Sequence, residues 1–311
     1  MNPAFSVIFL TTLIGAGQGL FMALVALEWF GHATHMEGGP TFLVAGGVVA
    51  LLLTAGGLMA SFFHLGRPER AWRAAAMWRT SWLSREVIVL PMFMAGVLIW
   101  LLAHLAGRGD TLALGLLTVL ISLALYVCTA MIYASVKFLQ EWASHFTLIN
   151  YFLLGLASGC TLATALAAVI WPPAVSALGI AAICFTVAGG ISRSLSLRRN
   201  ARLKPKSTLQ TAIGVRHPKI TQRAMGFMGG SFNTREFFHG QSAGSLRQVK
   251  GAFLVAAFVL PLLLLLLGLV QERSAWLILA FVVQYVGLLA ERWFFFAQAR
   301  HPQNLYYQTV A

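Results

Sequence analysis

The chain has 311 residues, 59% of them hydrophobic and 10% charged, with a mean hydropathy of +0.78 and a formal net charge of +13. A soluble domain carries about 25% charged residues, because its surface must face water, so a water-soluble enzyme is excluded. In a chain this apolar, excess positive charge points to cytoplasmic loops and anionic headgroups, not to nucleic acid.

A hydrocarbon core of about 30 Å needs roughly 20 helical residues. Eight segments meet that length: 5–30, 41–63, 86–107, 111–135, 147–170, 174–192, 251–270 and 274–297. The expected fold is an all-α integral membrane protein, a bundle of eight transmembrane helices in one domain over 1–311. The first segment is read as a span. Met1 to Phe5 lacks Lys and Arg, and the following run is too long for a signal-peptide core. Trp171, Pro172 and Pro173 make a tight turn between the fifth and sixth spans. The sixth is the shortest. No internal repeat and no paired broken helices are visible.

Loop charge sets the expected orientation. The loop 64–85 holds Arg67, Arg70, Arg73, Arg79 and Arg85. Lys137 follows the fourth span. The long loop 193–250, between the sixth and seventh, holds twelve basic residues, among them Arg193, Arg198, Arg199 and Arg202. The opposite connections hold Arg108 and Arg273. The asymmetry puts both termini and the basic loops in the cytoplasm, in an inner (cytoplasmic) membrane. Residues 193–206 read as a headgroup-binding stretch. Within 225–240, Gly-Gly and four phenylalanines are surplus to a solvated loop, so Phe232, Arg235, Phe237 and His239 are read as docking a partner.

Several polar residues collect at one face once the spans are counted. His64 closes the second span, Glu86 opens the third, Tyr133 ends the fourth, and Glu291 and Arg292 lie near the end of the eighth. Ser84 can cap the third helix, and a carboxylate in a first turn complements the helix dipole. Alternatively, Glu86 handles protons at the mouth of a quinone pocket. Charges inside a span mark paired or functional positions, although Arg292 can also snorkel to the headgroups. Being adjacent, Glu291 and Arg292 point about 100° apart and cannot both face one partner well. Gln18 is a weaker candidate, able simply to bond a neighbouring helix. Trp72, Trp78 and Trp82 form an aromatic belt, and they can also flank a flat ring. The histidines sit in loops or at span ends and no C-x-x-C-H occurs, so no haem is expected. Cys128, Cys160 and Cys184 lack metal spacing and read as buried thiols.

The run His64-Leu65-Gly66-Arg67-Pro68, then Arg70-Ala71, then Leu83-Ser84-Arg85-Glu86, resembles the membrane-anchor subunit of the dimethyl sulfoxide reductase family. Glu291-Arg292 resembles that family's last-helix segment with different spacing. The Gly-Gly-Ser-Phe-Asn-Thr-Arg-Glu-Phe-Phe-His-Gly loop is similar to the branch found in cytoplasmic sulfite-oxidising complexes. The resemblance implies that His64 and Glu86 serve quinone exchange, and with the residues that collect at the same face the expected quinone (ubiquinone or menaquinone) site lies near His64, Arg70, Trp82, Glu86, Tyr133, Glu291 and Arg292. It implies two partners: a ferredoxin-like iron–sulfur subunit carrying [4Fe-4S] clusters, and a molybdopterin catalytic subunit. They would dock on the face carrying Arg67, Arg73 and Arg79. The expected role is passage of electrons from cytoplasmic sulfite oxidation to the quinone pool. The rival readings are the reverse flow, from quinol to a dimethyl sulfoxide or polysulfide reductase, a small-molecule transporter, and a purely structural tether with no quinone site.

Overall fold

A computed structural model describes residues 1–31, 39–63, 65–224 and 237–307. His64, Phe232 and Arg235 lie outside the described residues. Lipid offers no hydrogen bonds, so each span satisfies its backbone internally as a helix. Eight helices are long and apolar enough to cross a membrane. They are α1 (Phe5–Trp29), α2 (Gly39–Phe62), α3 (Trp82–Leu105), α4 (Leu112–Ala134), α5 (His145–Ile170), α6 (Val175–Ala201), α7 (Ala243–Gln271) and α8 (Ser274–Ala297).

Three boundaries differ from those expected, each for a local reason. α3 begins at Trp82, because Ser81, not Ser84, caps it: the Ser84 N–H donates to Ser81 Oγ at 3.3 Å. Glu86 therefore lies in the second turn, past the strongest part of the helix dipole. α6 runs to Ala201, nine residues past the end expected for it, and is the longest of these helices apart from α7. α7 starts at Ala243, so the long connection shrinks to 202–242. Cys128 and Cys160 are buried as expected, but Cys184 is exposed on the lipid-facing side of α6.

The bundle forms two four-helix groups, α1–α4 and α5–α8, joined mainly by α1 against α5. These two helices are the most buried. Glycine makes the joint possible, since a Cβ built on Gly159 would overlap the backbone of Gly19, and one on Gly19 would overlap Gly155. Close backbone approach of this kind is how helices gain packing energy in lipid. Gly159→Val is expected to abolish the folded chain, whereas Gly56→Ala, whose Cβ would meet Leu13 at an ordinary 3.8 Å, is tolerated. Size-exclusion profiles of the detergent-solubilised variants check this: a monodisperse Gly159→Val peak would contradict the packing.

Candidate functional site

The antiparallel run brings the starts of α1, α3 and α5 and the ends of α4, α6 and α8 to one face. A buried polar centre lies just inside that face. Glu86 is 6% exposed and accepts a hydrogen bond from Thr129 of α4. Glu86, Thr129, Gln18, Tyr151, Ser158 and Arg292 line a cavity of about 30 Å3. Gln18 donates to the Ser122 carbonyl at 2.8 Å and to its hydroxyl at 3.0 Å, the helix-to-helix bond anticipated for it.

Arg292 does not snorkel. Its guanidinium is buried, 4.2 Å from the Tyr151 ring centroid and 5.0 Å from that of Phe295. Its Nε lies 2.6 Å from Glu291 Oε2. Glu291 Oε1 lies 2.6 Å from Arg193 Nε on α6. The adjacent pair therefore does converge: the long arginine side chain folds back onto its neighbour, which the angular separation of the two Cα positions did not anticipate. Arg193 corrects a second expectation. Its side chain is 1% exposed, so it binds no headgroup. Its guanidinium also stands 5.7 Å from the Phe253 ring. Two arginines share one carboxylate here, which leaves a surplus of positive charge, and Arg292 lines the same cavity as Glu86.

Tyr133 stacks on Tyr151 with centroids 5.8 Å apart and sits among Trp142, Phe295 and Phe296. It buttresses the centre and does not line the cavity. Trp82 lies one turn nearer the surface than Glu86, with the Arg85 guanidinium 4.2 Å from its ring. Arg85 also donates to the Trp78 carbonyl at 2.9 Å and the Arg79 carbonyl at 2.8 Å, which ties the preceding loop to α3. Arg70 is not brought to this centre. It is exposed on the 3-10 segment Pro68–Ala75, 4.0 Å from Glu69. Arg67, Arg73 and Arg79 are exposed on the same loop, beside exposed Trp72, Met77 and Trp78. Phe237 and His239 are partly covered, with Phe237 stacked on His301 at 3.8 Å.

Sequence reasoning missed a second buried centre, at the opposite face. Glu28 of α1 accepts from Trp100 Nε1 at 2.9 Å and from Thr111, with His104 Nε2 at 3.6 Å. Phe21, Leu24, Val25, Phe93, Val97 and Trp100 are buried in the core of this half of the bundle, as are the polar Thr54 and Thr118. Gln18 and Glu28 are ten residues apart on one helix, about 15 Å along its axis.

This is an integral membrane bundle with an ionisable centre beneath one face. The chain belongs to the family described as DMSO reductase anchor subunit (DmsC), whose model matches residues 1–298. It is 56% identical to a sulfite dehydrogenase subunit of Allochromatium vinosum, over the full length of both chains. It is 31% identical to the anaerobic dimethyl sulfoxide reductase chain YnfH of Escherichia coli, over 48% of this chain and 54% of that one. The family resemblance carried by the His64–Glu86 region is thereby borne out.

Proposed function

We propose that this chain is the quinone-reactive anchor of a sulfite dehydrogenase. It takes electrons from an iron–sulfur subunit, fed in turn by a molybdopterin catalytic subunit, and delivers them to the quinone pool. The full-length similarity to a sulfite dehydrogenase subunit supports the substrate. The single observation that carries the quinone reading is the buried carboxylate of Glu86 lining one small cavity with Arg292 and Tyr151 near one membrane face.

The residues fit a quinone in chemistry and only partly in volume. A bound quinone accepts two electrons and two protons. Glu86 supplies an acid, while Thr129, Tyr151 and Arg292 supply donors, and Trp82 offers a flat face at the rim. A cavity of about 30 Å3 has room for a water or two; a ligand pocket needs about 300 Å3 or more. The cavity therefore serves proton supply, and the ring would be held nearer the membrane face than Glu86, on the side that carries Trp82. Glu86 holds a proton there, and Arg292 stabilises the carboxylate after the proton leaves. Arg193 and Glu291 hold Arg292 in place. Glu86 lies near the start of α3, so protons enter from the face that carries it. The loop asymmetry favours that face as cytoplasmic. The exposed Arg67, Arg73 and Arg79, interleaved with Trp72 and Trp78, form the docking surface for the iron–sulfur subunit.

Deleting the chain tests the assignment. The expected result is that sulfite oxidation with a soluble dye persists in the soluble fraction, while sulfite-dependent quinone reduction in membranes disappears. Retained quinone reduction without the chain would overturn the proposal.

A further inference from the structure

A lipid-facing groove between α6 and α7 is unrelated to the Glu86 centre. It is a shallow, open groove of about 460 Å3, lined mainly by Val187, Gly190, Ile191, Leu195, Phe258 and Leu262, with Thr186 and Ser194 beside them. Val187, Ile191 and Leu195 are exposed. α7 contains a π turn at Val255–Val259, a one-residue irregularity that often marks a functional position. That turn carries Phe258, which packs over the bare backbone of Gly189 and Gly190.

One end of the groove is charged. Arg198 lines it, is exposed, and forms no ion pair with a carboxylate among the described residues. The Arg193–Phe253 contact fixes the register of α6 against α7. Counting about 1.5 Å per residue from that contact, Arg198, Lys250 and Arg247 all lie roughly 5–9 Å further toward the same face. Arg198 thus closes one end of the trough, and Lys250 and Arg247 lie at a similar height on the neighbouring helix.

We propose that this groove binds an anionic phospholipid of the surrounding bilayer. One acyl chain runs along Val187 to Leu195, and the phosphate rests against Arg198, with Lys250 and Arg247 behind it. Charge decides the occupant. A quinone tail or the chain of a zwitterionic lipid fills the trough equally well but leaves the basic rim without a counter-charge. A basic residue beside a charged lipid surface is worth about fivefold in affinity.

The test uses the intact complex in nanodiscs containing photoactivatable phosphatidylglycerol or photoactivatable phosphatidylcholine, with the label mapped by mass spectrometry. The expected result is about fivefold more labelling of residues 187–198 by the anionic probe. Arg198→Gln removes most of that preference, and Arg273→Gln, at the opposite face, leaves it intact. Because Arg198 is exposed, its loss does not endanger folding. Equal labelling by the two probes overturns the proposal. So does a preference that survives Arg198→Gln, or a groove found to hold quinone or a partner subunit.

Discussion

Replacing Glu86 by Gln lowers sulfite-dependent quinone reduction by about 10²-fold, the usual size of a lost general acid. The amide keeps the shape and still accepts from Thr129, so the complex assembles. Dye-linked sulfite oxidation in the same preparation stays unchanged, because the defect lies after the iron–sulfur subunit. Glu86→Asp retains part of the activity, since the acid survives on a shorter arm. Normal quinone reduction in an assembled Glu86→Gln complex would remove Glu86 from the mechanism. The position of Glu86 beneath one face adds a sidedness: the wild-type protein takes its protons from the Glu86 face, so a pH probe trapped on the other side records no uptake during turnover.

Replacing Glu291 by Ala costs about 3–5 kcal/mol of stability, because two buried arginines lose the carboxylate they share. Arg193 and Arg292 are each 2.6 Å from it, and none of the three side chains is more than 5% exposed. Arg193→Met is milder. It leaves the one-to-one pair of Glu291 and Arg292 and fills the space beside Phe253 with an apolar chain. Thermal melting of the detergent-solubilised variants ranks the two. Arg193→Met melting at or below Glu291→Ala would show that the surplus charge is not what the carboxylate neutralises.

The eight spans were legible because bilayer thickness imposes one length on every crossing segment, and their apolar composition leaves little ambiguity. Glu86 was legible as an acid at the head of an apolar helix. Its setting was not, since Ser81 and Ser84 are equally good caps on paper and a three-residue difference moves Glu86 by nearly a turn. Arg193 was misread for a related reason. Ser-Arg-Ser-Leu-Ser-Leu-Arg-Arg looks like the exit of a span, and its partner Glu291 lies 98 residues away, counted from their two numbers. Glu28 passed unremarked because its partners Trp100, His104 and Thr111 are assembled by helix packing, which hydropathy does not encode. Phe258, which lines the groove, sits in a π turn, and no residue pattern in Val-Ala-Ala-Phe-Val announces one.

Sealed membrane vesicles of known orientation give the most direct test of the central claim, that electrons from sulfite enter at the Glu86 face and leave on quinone. Sulfite added to vesicles with the cytoplasmic face outward reduces the quinone pool at once, and vesicles of the opposite orientation respond after detergent opens them. Immediate quinone reduction in the second kind alone, or sulfite oxidation that never reaches the quinone pool in either, would contradict the account.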